Sequence, residues 1–426
     1  MIFDIEQFAG ECVCGATHSL STKEIIIESG AVARFDSLAR RPELGDGAVV
    51  VCDDNTRFCA ERIAEVLGGH MHTARFACLS AKDLHADEHA VALLDGLLPP
   101  DAGWLVAAGD GTIHDTTRFV AKERGIPFVA FPTAAAVDAY VSATSAMTWH
   151  GYKVTVPAAA PVAVIADTDV FSAAPYRLTA SGFGEVFGKY TSLADWKIAS
   201  AVTGEPYCER IASRIGEAAD AVRAEMSGIR RGDRDGCERL MYTLLLSGTA
   251  MQLCGNSRPA SGAEHHMSHL WELEVINPRL GALHGEKVGI GAVLILRRYK
   301  ELLKSGALSG DRAPAVYEGL PTRLLRAKFG DHYGNIVVEN TPDPLASVSR
   351  DSLHDALPEI REIVAGLPDP ETLRKQMEDA GCKTTLREIG LGDGLLRDSL
   401  MLSPFVRARL TLQRLSGMLP SAGAAL

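Results

Sequence analysis

The hydrophobic pattern changes character part-way along the chain. In the first part, short apolar runs alternate with longer amphipathic stretches. Gly47–Cys52 (GAVVVC) is a continuous apolar run closed by Asp53-Asp54-Asn55-Thr56, after which Arg57–Leu67 repeats with helical period. Trp104–Ala108 (WLVAA) runs into Gly109-Asp110-Gly111-Thr112. A helical stretch follows over about Ile113–Arg124, and Pro127–Phe131 (PFVAF) is a third short run. Apolar runs of this length, bounded by turn residues, predict buried strands, and their alternation with helices predicts a parallel α/β sheet. Ligands of such sheets sit beyond the carboxyl ends of the strands.

From about Leu178 long amphipathic patterns take over: Glu185–Val202, Cys208–Met226, Cys237–Leu253, Glu264–Glu274 and Glu286–Ser305. Strand signals largely vanish. The pattern predicts an N-terminal α/β domain over 1–177 and an all-α C-terminal domain over 178–426, with the active site expected in the cleft between them. A length of 426 residues agrees with two cores, since single cores stop growing at roughly 250–300 residues.

Composition narrows the classes. Hydrophobic residues make up 46% of the chain and mean hydropathy is +0.05, a globular balance. No apolar run reaches the ~20 residues that span a bilayer. The longest, Ala158–Ala166 and Val288–Leu296, suit strands or core helix. The N-terminal MIFDIEQFAG lacks a basic region followed by an apolar stretch, so a cytoplasmic address is expected. A net charge of -11 without any block of Lys or Arg speaks against nucleic acid, and leaves room for a small anionic substrate. The nine cysteines are scattered; Cys12-Val13-Cys14 is the one close pair and, with no second pair nearby, the thiols are read as free.

The chemistry concentrates around histidines. His265 and His269 lie four apart and share a face on a helix. Gly285 follows His284 at the start of another helical pattern and lets backbone approach a ligand. Helix ends bearing His can supply two imidazoles to a divalent metal. A carboxylate from a different helix completes such a site, and Ser181-Gly182-Phe183-Gly184-Glu185 offers one, read as a glycine-rich helix start with an acid in the first turn. Two His, one carboxylate and an open position form a catalytic pattern. In the first part, the turn from strand into helix at Gly109–Thr112 suits a pyrophosphate. Asp53 or Asp54 could accept from ribose hydroxyls, favouring NAD over NADP. Lys153, Lys189 and Arg258 are candidates for a substrate phosphate.

Five ordered segments carry a resemblance: GDGTIHD (109–115), FPTAAAVDAYVS (131–142), SGFGEVFGKYTSLADWK (181–197), SGAEHHMSHLWE (261–272) and LHGEKVGIG (283–291). Over about residues 20 to 300 the chain resembles the sn-glycerol-1-phosphate dehydrogenases of the bacterial AraM type, within the iron-containing alcohol dehydrogenase and glycerol dehydrogenase superfamily. The resemblance implies a Rossmann-like N-terminal domain plus an all-α metal domain, and reversible hydride transfer between NAD(P)H and dihydroxyacetone phosphate. It implies dinucleotide contacts from Gly109, Gly111, Thr112, Ile113, His114 and Asp115, from Thr133, Ala134, Ala135 and Ala136, and from Ser142. Asp138 and His269 would face substrate, and Glu185, His265 and His284 would bind one divalent metal, Ni²⁺ or Zn²⁺ with Fe²⁺ as a further option. A homodimer is also implied.

Two positions depart from the family. Glu185 stands where Asp is usual, and recalibrates the site by one methylene. It also resembles the ligand of dehydroquinate synthase-like sugar phosphate cyclases, an alternative opposed by the TSLADWK string and by the lack of a GHTxGH-type motif. Asp110 stands where Gly or Ser is commoner, and puts an acid beside the pyrophosphate unless its side chain turns away. A non-catalytic, metal- or metabolite-binding relative is the remaining alternative.

Overall fold

A computed structural model describes residues 3–69, 75–278 and 280–420. The chain divides into two compact units, Met1–Gly182 with Ala221–Asn256, and Phe183–Asp220 with Ser257–Leu426. The first is built on a six-stranded parallel sheet of β1 (Glu24–Glu28), β2 (Ala48–Asp53), β3 (Arg75–Leu79), β4 (Trp104–Gly109), β5 (Phe128–Pro132) and β6 (Ala163–Asp167), in the order β1-β6-β5-β4-β2-β3. The three predicted runs are thus strands, each shifted by about one residue. All six residues of β4 and the first five of β2 are buried, as expected of strands covered on both faces.

Crossover helices α1 (Arg57–Gly68), α2 (Glu88–Leu97) and α3 (Gly111–Arg124) belong to this unit. The Asp87 side chain caps α2 by accepting from the His89 and Ala90 amides, and Gly125 closes α3 in a left-handed conformation. After β2 the chain turns to β3 on one side, and after β4 to β5 on the other. The carboxyl ends of β2 and β4 therefore flank the topological switch point, where doubly wound sheets bind ligands.

The long helix α4 (Tyr176–Thr203) is followed by α5 (Glu209–Arg230), α6 (Arg234–Cys254), α7 (Ala263–Trp271) and α8 (His284–Lys304). The division expected at 177/178 meets a difference here, since residues 221–256 return to the first unit. Gly248 of α6 explains the return, because a Cβ there would lie 2.4 Å from the Asp138 carbonyl oxygen: the helix seats directly on the loop after β5. The second unit packs its own core from Ile198, Met267, Trp271, Ile290, Tyr299 and Leu353. Among the described residues no helix is long and apolar enough to cross a membrane.

Candidate active site

Glu185 is not in a first helical turn, as the sequence suggested. It lies well inside α4, which starts at Tyr176. The flanking glycines serve close packing instead. A Cβ on Gly182 would sit 2.0 Å from the Ala135 carbonyl oxygen, and one on Gly184 would sit 2.0 Å from that of Gly285. Gly289 of α8 in turn faces the Gly184 Cα, and Gly291 faces the Glu264 backbone, both closer than any Cβ tolerates. This seam of glycines lets α4, α7 and α8 approach to backbone distance, and it brings their polar side chains to one point.

At that point one ligand atom each from Glu185, His265 and His284 lies within 4.8 Å of the others. The His265 Nε2 is 3.1 Å from Glu185 Oε1, and the His284 Nε2 is 3.6 Å from Glu185 Oε2. Each imidazole is oriented from behind by an acid. His265 Nδ1 lies 2.7 Å from Glu264 Oε1, and His284 Nδ1 lies 3.2 Å from Glu272 Oε1. A carboxylate accepts only, so each ring donates through Nδ1 and directs Nε2 inward, as a lone pair once that nitrogen has lost its proton. Glu264 is itself held by the Gly262 amide at 2.7 Å and by the Thr191 hydroxyl, and Glu272 is paired with Lys287 at 2.8 Å.

The fit to a divalent ion can be tested on these atoms. Glu185 is wholly buried, and its Oε2 has no hydrogen-bond partner. Leaving a buried carboxylate oxygen unpaired is costly unless a cation completes the site. Two imidazoles and one carboxylate form a suitable donor set. The residues fit. Burial raises the Glu185 pKa, but the Lys189 ammonium and then His265 outweigh it and hold the carboxylate well below its usual range. Burial disfavours charge on His265, yet the Glu185 carboxylate, with hydrogen bonds to Glu185 and Glu264, raises that imidazole to about 9.

His269 completes a triangle of rings, its centroid 6.1 Å from that of His265 and 6.0 Å from that of His284. It is not among the three grouped ligands. Burial and then the Arg407 charge push its pKa well down, so the ring is neutral, and its Nδ1 has no partner. His266 is buried and neutral as well, consistent with a position turned away from the metal. Two phosphate candidates are engaged elsewhere. Lys189 is wholly buried and donates to Glu185 at 3.1 Å and to the Ala260 carbonyl at 2.8 Å, while Arg258 chelates Glu205 and donates to the Leu410 carbonyl at 2.6 Å. The sequence showed their charge but not these partners. Lys153 lies half-buried on the strand Tyr152–Pro157 of the first unit.

In the first unit the turn after β4 is built for closeness. A Cβ on Gly109 would meet Ile113 at 2.6 Å, so Ile113 folds beneath the turn. Gly111 and Thr112 open α3 and leave their amides at the helix N-terminus. His114 and Asp115 face inward: His114 Nδ1 is 3.1 Å from the Asp110 carbonyl, burial and Arg118 depress its pKa to about 3, and Asp115 lies 3.9 Å from Arg118. Asp110 resolves its own departure. Its carboxyl accepts from the Tyr140 hydroxyl at 2.7 Å, and burial raises its pKa against that hydrogen bond.

Asp53 ends β2, and its Oδ1 accepts from the Asn55 and Thr56 amides at 2.9 and 3.0 Å, shaping the turn into α1. Thr133 donates its amide to the Gly109 carbonyl at 3.0 Å, which brings 133–136 beside the glycine turn; the Ala134 carbonyl lies 2.7 Å from the same Tyr140 oxygen, and Ala135 is the close neighbour of Gly182. Ala136 is buried in the same loop. The Ser142 hydroxyl is bonded to Thr144. Asp138 accepts from the Ser247 hydroxyl at 2.7 Å. Sequence reading missed Ser247, Glu264 and Glu272; for Glu264 the signal was adjacency to His265, whereas Glu272 lies twelve residues from the imidazole it orients.

Comparison with known proteins identifies the family and the fold. Residues 26–175 match the model of the family described as iron-containing alcohol dehydrogenase. A protein of Bacillus licheniformis named glycerol-1-phosphate dehydrogenase [NAD(P)+] is 37% identical over 83% of this chain and 90% of its own length. One of the same name from Bacillus velezensis is 34% identical over 93% and 92%. Among solved structures, sulfoacetaldehyde reductase from Bifidobacterium kashiwanohense in complex with NAD+ superposes with a TM-score of 0.60 at 15% identity, over 94% of this chain and 96% of that one, a likeness of fold.

Proposed function

The chain belongs to the glycerol-1-phosphate dehydrogenase family of iron-containing alcohol dehydrogenases, and from that premise we propose a metal-dependent, NAD(P)-linked dehydrogenase that interconverts dihydroxyacetone phosphate and sn-glycerol 1-phosphate or a closely related phosphorylated polyol. The observation that carries the reading is the convergence of Glu185, His265 and His284 around an orphaned carboxylate oxygen. A bound Ni²⁺, Zn²⁺ or Fe²⁺ supplies Lewis acidity toward the substrate oxygen, and NAD(P) supplies or takes the hydride.

The protein's own residues have distinct tasks. Glu264 and Glu272 fix the tautomers of His265 and His284. Lys189 holds Glu185 Oε1 and leaves Oε2 to the ion. His269, neutral and unpartnered at Nδ1, can bind the substrate or move a proton without carrying resting charge. Asp138, steadied by Ser247, touches substrate. The amides of Gly111 and Thr112 take the pyrophosphate at the α3 N-terminus, with Gly109 and 133–136 lining the turn, and Asp53 accepts from the ribose. Lys153, on the strand Tyr152–Pro157, is a candidate for the substrate phosphate. A cytosolic setting suits nine cysteines with no disulfide among them, and a homodimer is part of the reading.

The test is NADH oxidation with dihydroxyacetone phosphate while metals are exchanged one at a time. Stoichiometric NADH consumption, abolished by chelation and by His265→Ala, is the expected result. Phosphate release without net NADH consumption would install the cyclase reading. Metal binding with neither outcome would leave a non-catalytic protein.

A further inference from the structure

The close thiol pair near the N-terminus acquires a third partner in the fold. The strands Gly10–Glu11 and Thr17–His18 pair antiparallel, and the loop between them is closed by the Cys12 amide to the Ala16 carbonyl at 3.0 Å and the Gly15 amide to the Cys12 carbonyl at 2.9 Å. Gly15 makes this loop possible at φ +86°, a conformation that L side chains rarely adopt. Val13 is 99% exposed, whereas Cys12 and Cys14 on either side of it are half-buried. The loop therefore sends its apolar residue outward and both thiols inward.

Facing them is His18, only 4% exposed. Its Nε2 is 3.4 Å from Cys14 Sγ, and one ligand atom from each of Cys12, Cys14 and His18 lies within 4.8 Å of the others. A zinc ion bound tetrahedrally, with sulfur at ~2.3 Å and nitrogen at ~2.05 Å, sets such atoms about 3.5 Å apart. The 3.4 Å between Cys14 Sγ and His18 Nε2 already matches. The far side of the ring is arranged too: His18 Nδ1 is 2.8 Å from the Leu253 carbonyl, an acceptor only, so Nδ1 carries the proton and Nε2 presents its lone pair to the thiols. Metal-ligating imidazoles are held in this way, by a backbone carbonyl behind the ring.

We propose that Cys12, Cys14 and His18 bind a zinc ion, distinct from the Glu185 centre, which clips the N-terminal hairpin to the end of α6. Two thiolates and an imidazole are a softer set than the carboxylate and two imidazoles of the other centre, and select zinc. The clip has a structural logic. The hairpin is too short to be stable alone, and His18 ties it to the last turn of α6, where Gln252 also accepts from the Ser21 amide at 3.0 Å and donates to Thr22 at 2.9 Å. A sequence search for paired Cys motifs passes over this arrangement, because the third ligand is a histidine four residues beyond the pair.

Cobalt substitution of the full chain tests this directly. Thiolate ligands give Co²⁺ an intense near-ultraviolet charge-transfer band, which a carboxylate–imidazole centre lacks. The wild type should show the band and retain about one more zinc per chain than Cys14→Ser. His265→Ala should keep the band, and His18→Cys should keep it with added intensity. Should Cys14→Ser fail to fold, titration of the wild type with an organomercurial gives the same answer, since blocking the thiols should release one zinc to a chelating dye. A wild type without the band, or without zinc released by the mercurial, overturns the proposal, as does equal zinc in wild type and Cys14→Ser.

Discussion

Loading the Glu185 centre should expel a proton, and the structure sets how strongly pH controls it. In the metal-free protein His265 titrates at about 9, whereas Glu185 is held ionised and His269 neutral. Only the neutral imidazole can coordinate, so protons compete with metal at His265 below about pH 9. At pH 7 about 1% of that ring is neutral, which lowers apparent affinity about 100-fold, or about 2.7 kcal/mol. Affinity should rise tenfold per pH unit from 7 to about 9 and then flatten. Calorimetric titration of chelator-stripped protein with Ni²⁺, in buffers of different ionisation enthalpy, should count about one proton released per ion at pH 7. Glu264→Gln removes one of the charges that hold the proton. Its competition range should move to lower pH, while affinity at pH 9 falls about 10–100-fold because the ring loses its support. Metal affinity that stays constant from pH 7 to 9, with no proton release, would refute the argument.

Further outcomes follow from the same contacts. In the stripped protein the raised His265 pKa favours the fold fully below the unfolded value of about 6.5 and is lost as pH rises through about 9, so its melting temperature should drop over that window while that of the loaded protein does not. Gly184→Ala should cost about 1–3 kcal/mol and weaken metal retention, since the new methyl would sit 2.0 Å from the Gly285 carbonyl oxygen. Gly96→Ala in α2, with open space around it, should instead stabilise by up to about 1 kcal/mol in denaturant titration. Asp53→Asn can keep the turn acceptor but removes the charge, so the ratio of kcat/KM for NADPH over NADH should rise. Ser247→Ala should lower kcat/KM with little change in melting temperature, because it removes one hydrogen bond that orients Asp138; unchanged turnover would remove Ser247 from the positioning of Asp138.

Much of the first unit was legible because a buried parallel strand must be apolar throughout and must end in turn residues. GAVVVC, WLVAA and PFVAF announced β2, β4 and β5 to within about one residue. Helical periodicity likewise announced α4, α7 and α8, and the three candidate ligands could be named from short strings around Glu185, His265 and His284. The role of the neighbouring glycines was misread as a helix start. Inside a helix, a glycine that admits a neighbouring backbone and a glycine that begins the element look alike in one dimension.

Local pattern therefore determined the elements, their order and the chemical types available, since period and turn chemistry act over a few residues. Tertiary structure alone decided which of those groups meet. It returned residues 221–256 to the sheet-bearing unit and set the Lys189 ammonium against the Ala260 carbonyl. It also set Glu264 and Glu272 behind the imidazoles, and joined His18 to two thiols. The return of 221–256 and the meeting of Glu185 with His265 and His284 depend on backbones approaching across long separations in sequence, a distance that no periodicity along the chain encodes.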